Sequence, residues 1–168
     1  GGMNSIVFQE MREARGLAYS ASGRLLEPEY KDDSYKYFAF IATQNDKMQT
    51  AIEAFDEIIN DMPVSETAFN IAKEALTTKY RTERITGRNI LRSYQNARDM
   101  GITEPRSKKI FEKLPELTLE DVKNTQEKWV KDRTYCYGIL GDIKNLDTDY
   151  LKTLGTVEVL TLEDIFGY

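Results

Sequence analysis

Among 168 residues there is no histidine. That absence removes several chemistries at once. Without an imidazole base, no Ser-His or Cys-His nucleophile pair can form. Neither the direct nor the inverted zincin helix can be written, because both place two histidines one helical turn apart. The single cysteine, Cys136, excludes an internal disulfide. It sits in the apolar run Tyr135-Cys136-Tyr137-Gly138-Ile139-Leu140, where a small buried hydrophobe is the expected role. One cysteine with carboxylates is a poor ligand set for catalytic zinc. No glycine-rich phosphate loop is present. Asp142, Asp147 and Asp149 lack the glycine and terminal glutamate of a calcium loop. No apolar run approaches the length of a membrane span, and no signal peptide is visible. A basic face is missing as well. The net charge is −5, with Lys and Arg scattered among acids, which argues against nucleic acid as a partner.

What is there reads as one domain, residues 1–168, with 40% apolar and 30% charged residues, ordinary for a globular protein. Residues 3–15 carry Ile6, Val7, Met11 and Ala14 at helical spacing, and Gly16 is placed as a left-handed stop. Residues 17–26 alternate as a strand, with Leu17, Tyr19, Ala21 and Leu25 on one face. After a turn-rich stretch, residues 35–43 are aromatic and apolar on both faces. They predict a central, well-covered strand antiparallel to the first. Residues 46–62 form a strong helical stripe with Asn45 as N-cap. Ser65 caps the next helix. A further helix carries Ile90, Leu91, Tyr94 and Ala97 on one face, and a short one spans 106–113. Thr118 and Asp121 have the spacing of a capping box. Residues 133–141 read as a strand, 148–154 as a short helix, and 157–160 as a last short edge strand. This order predicts an α+β fold: an antiparallel sheet with helices packed on it.

The carboxylate pairs Glu10/Glu13, Asp32/Asp33 and Glu53/Glu57 read as solvated surface charge rather than as a glycosidase-type acid/base pair. One run is more specific. Gly1-Gly2-Met3-Asn4-Ser5-Ile6-Val7-Phe8-Gln9-Glu10-Met11-Arg12-Glu13-Ala14-Arg15-Gly16-Leu17-Ala18-Tyr19-Ser20 resembles a segment in the second half of pitrilysin/insulinase-type zinc peptidases and mitochondrial-processing-peptidase relatives. The aromatic strand at 37–43, Glu74-Ala75-Leu76-Thr77-Thr78-Lys79-Tyr80 and Trp129-Val130-Lys131-Asp132-Arg133-Thr134-Tyr135 are similar to that family in type and order.

The resemblance implies two similarly folded units facing each other as a clamshell. One unit bears zinc and a glutamate that activates water. The other lacks the metal motif and grips the peptide through an arginine and a tyrosine spaced as Arg12 and Tyr19 are. It also implies a strand and a helix before the Gly1-Gly2 segment, so the core is expected to be incomplete here, or completed by a neighbour. The reading is therefore a non-catalytic, substrate-binding domain of a zinc metalloendopeptidase. No metal is expected in this chain, zinc is expected in a partner domain, and a peptide is the substrate. A purely structural core subunit and a peptide-recruiting subunit are the alternatives. Compartment stays open between bacterial envelope, periplasm and cytoplasm.

The residues themselves are compatible with that pairing. Arg12 lies one turn before the helix end and Tyr19 early in the next strand, so their backbones should lie about 10 Å apart around a tight glycine turn. Arginine offers several donors and keeps its proton, and tyrosine offers a neutral one. The bland alternatives are an arginine complementing a helix C-terminus and a tyrosine packing on a sheet. Arg15 reads as a surface residue, Gly16 as a backbone requirement, and Ser5 and Ser20 as serines without a base.

Overall fold

The computed structural model describes residues 6–168. The positions expected to open the first helix, residues 3–5, lie outside the described residues, as do Gly1 and Gly2. The fold is α+β. Among the described residues, eight helices accompany one two-stranded antiparallel sheet.

The chain enters as one α-turn, α1 (Ile6–Phe8), and widens at once into a π-helical turn over Gln9–Ala14. This departs from the continuous α-helix expected there. The stop is widened to match. The Leu17 amide donates to the Met11 carbonyl at 2.9 Å, and the Gly16 amide to the Arg12 carbonyl at 3.1 Å. Each bond reaches one residue further back than in an ordinary glycine-terminated helix. Gly16 takes φ +59°, as this stop requires. The consequence is a face change: Val7 and Met11 point into the core, while Ala14, expected beside them, is exposed.

Strand β1 (Ser20–Leu26) pairs with β2 (Lys36–Ala42), with Ala21 opposite Ile41, Gly23 opposite Ala39 and Leu25 opposite Tyr37. The antiparallel pairing is as the sequence predicts. The central, well-covered position of β2 is not. Among the described residues β2 has a partner on one edge only, and Phe38 and Phe40 are exposed. Aromatic content on both faces marks a strand suited to double cover, yet no described element lies over the outer face.

Helix α2 (Met48–Asn60) completes the core. Every predicted stripe residue from Met48 to Ile59 is buried, and Met62 is partly so. The start differs. Asn45 does not cap α2; it opens a 3₁₀ turn (Asn45–Lys47), and Lys47 at the α2 N-cap makes no capping side-chain bond. Ala51, Ala54, Phe55 and Ile58 pack against Val7, Met11 and Ala21 as one cluster. Two alanines on α2 and Gly23 on β1 let the backbones approach closely. A Cβ on Gly23 would lie 3.0 Å from the Tyr37 hydroxyl and 3.3 Å from Val7 Cγ2.

Beyond α2 the helices are set mainly by local signals. α3 (Glu66–Thr82) is capped by Ser65, whose Oγ accepts from the Ala68 amide at 3.1 Å. α4 (Arg88–Asp99) follows, with Ile90, Leu91 and Tyr94 exposed rather than on a packed face. α5 (Arg106–Lys113) leans on α3, where the Lys73 ammonium donates to the carbonyls of Pro115 and Leu117 at 2.9 and 2.7 Å. α6 (Leu119–Trp129) begins with the predicted capping box: Thr118 N–H donates to Asp121 at 2.8 Å and Asp121 N–H to Thr118 Oγ1 at 3.2 Å. The Thr118 hydroxyl, which donates to Asp121 Oδ2 at 2.6 Å, and then the Thr118 N–H hold the Asp121 carboxyl below its usual range. The turn after α6 contains Asp132, in the left-handed region at φ 54°, whose amide donates to Asn60 Oδ1.

Residues 133–140 contain no helix, turn or bend, but no ladder forms, so the expected strand is absent. Side chains hold this segment instead. Tyr135 donates to the Val130 carbonyl at 2.6 Å and stacks edge-on with Tyr37. Tyr137 donates to Asp56 on α2 at 3.0 Å; burial, and then that carboxylate, push its phenol up to about 12. Cys136, expected buried, is exposed. α7 (Thr148–Leu154) is as predicted. The last edge strand, 157–160, is also unpaired among the described residues, and a short capped helix, α8 (Leu162–Phe166), follows it.

Met11 is fully buried at the centre of this small core. Met11→Ala is expected to lower unfolding free energy by about 2–5 kcal/mol, and Gly23→Ala by about 1–3 kcal/mol through overpacking against Tyr37 and Val7. Urea titration followed by circular dichroism measures both; a loss under 0.5 kcal/mol for Met11→Ala would contradict the described packing.

Candidate functional site

The π-turn, Gly16 and the start of β1 form a corner on one end of the sheet. Single π-turns are costly and recur at functional positions. Its backbone is over-determined. The Arg12 carbonyl accepts from both the Arg15 and Gly16 amides. The Tyr19 amide donates to the Ala42 carbonyl at 2.9 Å, and the Thr43 hydroxyl to the Leu17 carbonyl at 2.6 Å. The corner is thereby tied to the end of β2 before β1 formally begins.

Arg12 lies within the π-turn, with half its side chain in solvent; its guanidinium sits 3.8 Å from Glu13 and 5.1 Å from the centre of the Phe8 ring. Tyr19 is 86% exposed, and its hydroxyl makes no hydrogen bond among the described residues. Both predicted residues flank the same corner, and no hydrogen bond joins them. A concavity of about 380 Å³ opens beside Tyr19, lined by residues 16–19 on one side and by Thr43, Gln44 and Lys47 on the other. Arg12 does not line it. Lys47 is the contributor that sequence reasoning missed. Its signal was its place in the short loop joining a strand to a helix, where binding residues concentrate.

Arg15 is exposed, as expected of a surface residue, and it also bridges two elements. It donates to Glu57 on α2 at 2.7 Å and lies 3.9 Å from Glu10. It thus joins the corner to α2 across 42 residues of sequence. The hydrogen bond and the charge of Arg15 hold the Glu57 carboxyl below its ordinary value near 4.5, and Glu57 raises the Arg15 guanidinium in turn. The other carboxylate pairs are divided among partners as well: Glu13 faces Arg12, and Glu53 accepts from Gln49.

The corner offers donors: an arginine, a lysine and a phenol. It holds no nucleophile beside a base. Among the described residues no group of three His, Cys, Asp or Glu side chains is placed to hold a metal ion. No described helix is long and apolar enough to cross a membrane. Such a corner can bind an acceptor-rich group, such as a peptide carbonyl, without transforming it. Comparison with protein-family models, curated proteins and solved structures finds no match to this chain.

The Arg15–Glu57 pair has a pH signature. Because the folded Glu57 value is depressed, its contribution is present above the unfolded value near 4.5 and is lost as pH falls through the lower folded value. Arg15→Gln should therefore flatten the stability–pH curve below about pH 4.5, while leaving the slope near pH 7 unchanged. Parallel urea titrations of both proteins between pH 3 and pH 7 check this, and identical acid limbs would mean the pair is not formed.

Proposed function

We propose that this chain is the non-catalytic, substrate-gripping domain of a zinc metalloendopeptidase. Peptide-bond hydrolysis would be carried out by a separate zinc-bearing domain. Without a histidine, the chain offers only a poor ligand set for catalytic zinc. The observation that carries the reading is the exposed Tyr19 phenol, without a hydrogen-bond partner among the described residues, on a corner whose backbone is bonded to the end of β2 and which also presents Arg12. These are the two positions at which the resemblance to the second half of pitrilysin/insulinase-type peptidases implies contact with substrate.

In this reading the Arg12 guanidinium donates to a substrate carbonyl, and Tyr19 donates to the same oxygen as negative charge develops on it. Neither group needs to change protonation to do so. Held donors of this kind contribute about 10²–10³ in turnover each.

Surface area supports a partner. The chain exposes 13216 Å², against roughly 8,500 Å² for a compact monomer of its mass. Large apolar side chains, among them Leu91, Tyr94, Trp129 and Leu140, stand in solvent, and covering them with another polypeptide would be favourable. A structural core subunit would also explain that excess. The Tyr19 phenol, unbonded among the described residues, favours the gripping role.

Supplied with zinc alone, the chain is expected not to cleave a quenched fluorescent peptide; zinc-dependent cleavage would end the proposal. In complex with the metal-bearing companion, Arg12→Ala or Tyr19→Phe should each lower kcat about 10²–10³-fold with unchanged circular dichroism. Wild-type turnover in both variants would remove the assigned roles and leave the structural reading.

A further inference from the structure

A second, larger cavity, of about 550 Å³, is lined by β2 and the turn after it, by α2 and by residues 135–140. Its volume falls within the range of small-molecule sites, about 300–1,000 Å³. Helix α2 contributes an apolar base through Met48, Ile52, Phe55 and Ile59. The polar side chains in the lining divide into two groups. Thr43, Gln44 and Asn45, from the turn after β2, are neutral, and the Thr43 hydroxyl already donates to the Leu17 carbonyl. Asp56, Tyr135 and Tyr137 make up the second group.

Asp56 is the one charged residue in the lining, and no lysine or arginine lines the cavity. It is partly buried. Its Oδ1 accepts from the Tyr137 hydroxyl at 3.0 Å. Its Oδ2 accepts no hydrogen bond, and the carboxylate makes no ion pair, among the described residues. The surroundings register that uncompensated charge. Burial first, and then negative charge that includes that of Asp56, raise the phenols of Tyr135, Tyr137 and the neighbouring Tyr150. Only at Tyr135 does a cation, Arg133, act the other way.

A carboxylate among aromatic rings, beside apolar surface, suits a cation that carries hydrocarbon bulk. The carboxylate supplies the opposite charge, and ring faces attract a cation through their quadrupole. The apolar base takes the hydrocarbon. A neutral apolar molecule would strip water from Asp56 without replacing it, and an anion would meet its charge directly. A bare metal ion would need more donors, and no group of three is placed for one among the described residues.

We propose that this cavity binds an amphiphilic organic cation, a small ammonium compound with an aromatic or branched apolar body. The ammonium sits against Asp56 Oδ2, beside Tyr135 and Tyr137, and the apolar body lies on Met48, Ile52 and Ile59. The site is independent of the peptide-gripping corner, since neither Arg12 nor Tyr19 lines it.

The test uses the chain as it stands and three biphenyl probes that differ in one group: biphenyl-4-ylmethyl trimethylammonium, the corresponding alcohol, and biphenyl-4-ylacetate. Isothermal titration calorimetry reads their affinities. The ammonium is expected to bind at least about tenfold more tightly than the alcohol, and the acetate more weakly than either. In Asp56→Asn, whose amide oxygen can still accept from Tyr137, affinity for the ammonium falls about tenfold or more while affinity for the alcohol is unchanged. Cys136, exposed and in the lining, reports location: the ammonium slows its alkylation by N-ethylmaleimide. Equal affinity for the three probes, preference for the alcohol or the acetate, or no binding would overturn the proposal. So would equal losses for ammonium and alcohol in the variant, or unchanged alkylation of Cys136. Should circular dichroism show that Asp56→Asn does not fold, the three-probe series and the alkylation of the parent protein decide the matter.

Discussion

The contact between α2 and the turn that leads into β1 sets everything else in the molecule. Met11 is enclosed there by Ala51, Ala54, Phe55 and Ile58, and the alanines allow the helix to lie close. Arg15 and Glu57 close the same contact at its rim. An exposed ion pair adds little stability, so its role is orientation: it keeps the π-turn seated on the helix. Had α2 packed elsewhere, Met11 would lose its cover and Arg15 its partner Glu57.

The same helix governs the opposite side. The apolar stripe on α2 is wider than the corner needs. Ala51 and Phe55 serve both sides, while Met48, Ile52 and Ile59 line the larger cavity beyond β2. One amphipathic element therefore supports two surfaces of different chemistry. The corner presents donors suited to a peptide carbonyl, and the larger cavity adjoins it through Ala42, Thr43 and Gln44.

Local features were easy to read. The stripe on α2, the Ser65 cap, the Thr118–Asp121 box and the glycine stop at residue 16 are each written within a few residues, because helix periodicity and capping depend on near neighbours. One such signal was overlooked. Thr161-Leu162-Glu163-Asp164 repeats the tetrapeptide Thr118-Leu119-Glu120-Asp121, and it caps α8 with the same reciprocal hydrogen bonds. The strand expected at 133–141 failed for a different reason. Alternation and β-branched or aromatic content show that a segment suits a sheet, but pairing requires a neighbour at hydrogen-bonding distance. Here the edge of β2 lies across a cavity. Cys136 is exposed for that same reason, and so is the outer face of β2.

Residue order alone thus settled the α+β class, the antiparallel hairpin, the position of the main helix and the absence of histidine chemistry, since each follows from composition or from neighbours a few positions apart. It also singled out Arg12 and Tyr19 as the side chains to watch. The π-winding that turns Ala14 outward, the grip of Arg15 on Glu57, the place of Lys47 beside Tyr19, and the open edge between β2 and residues 135–140 came only with folding in three dimensions. The Arg15–Glu57 contact and the Lys47–Tyr19 concavity depend on groups far apart in the chain being brought together, which no local pattern encodes.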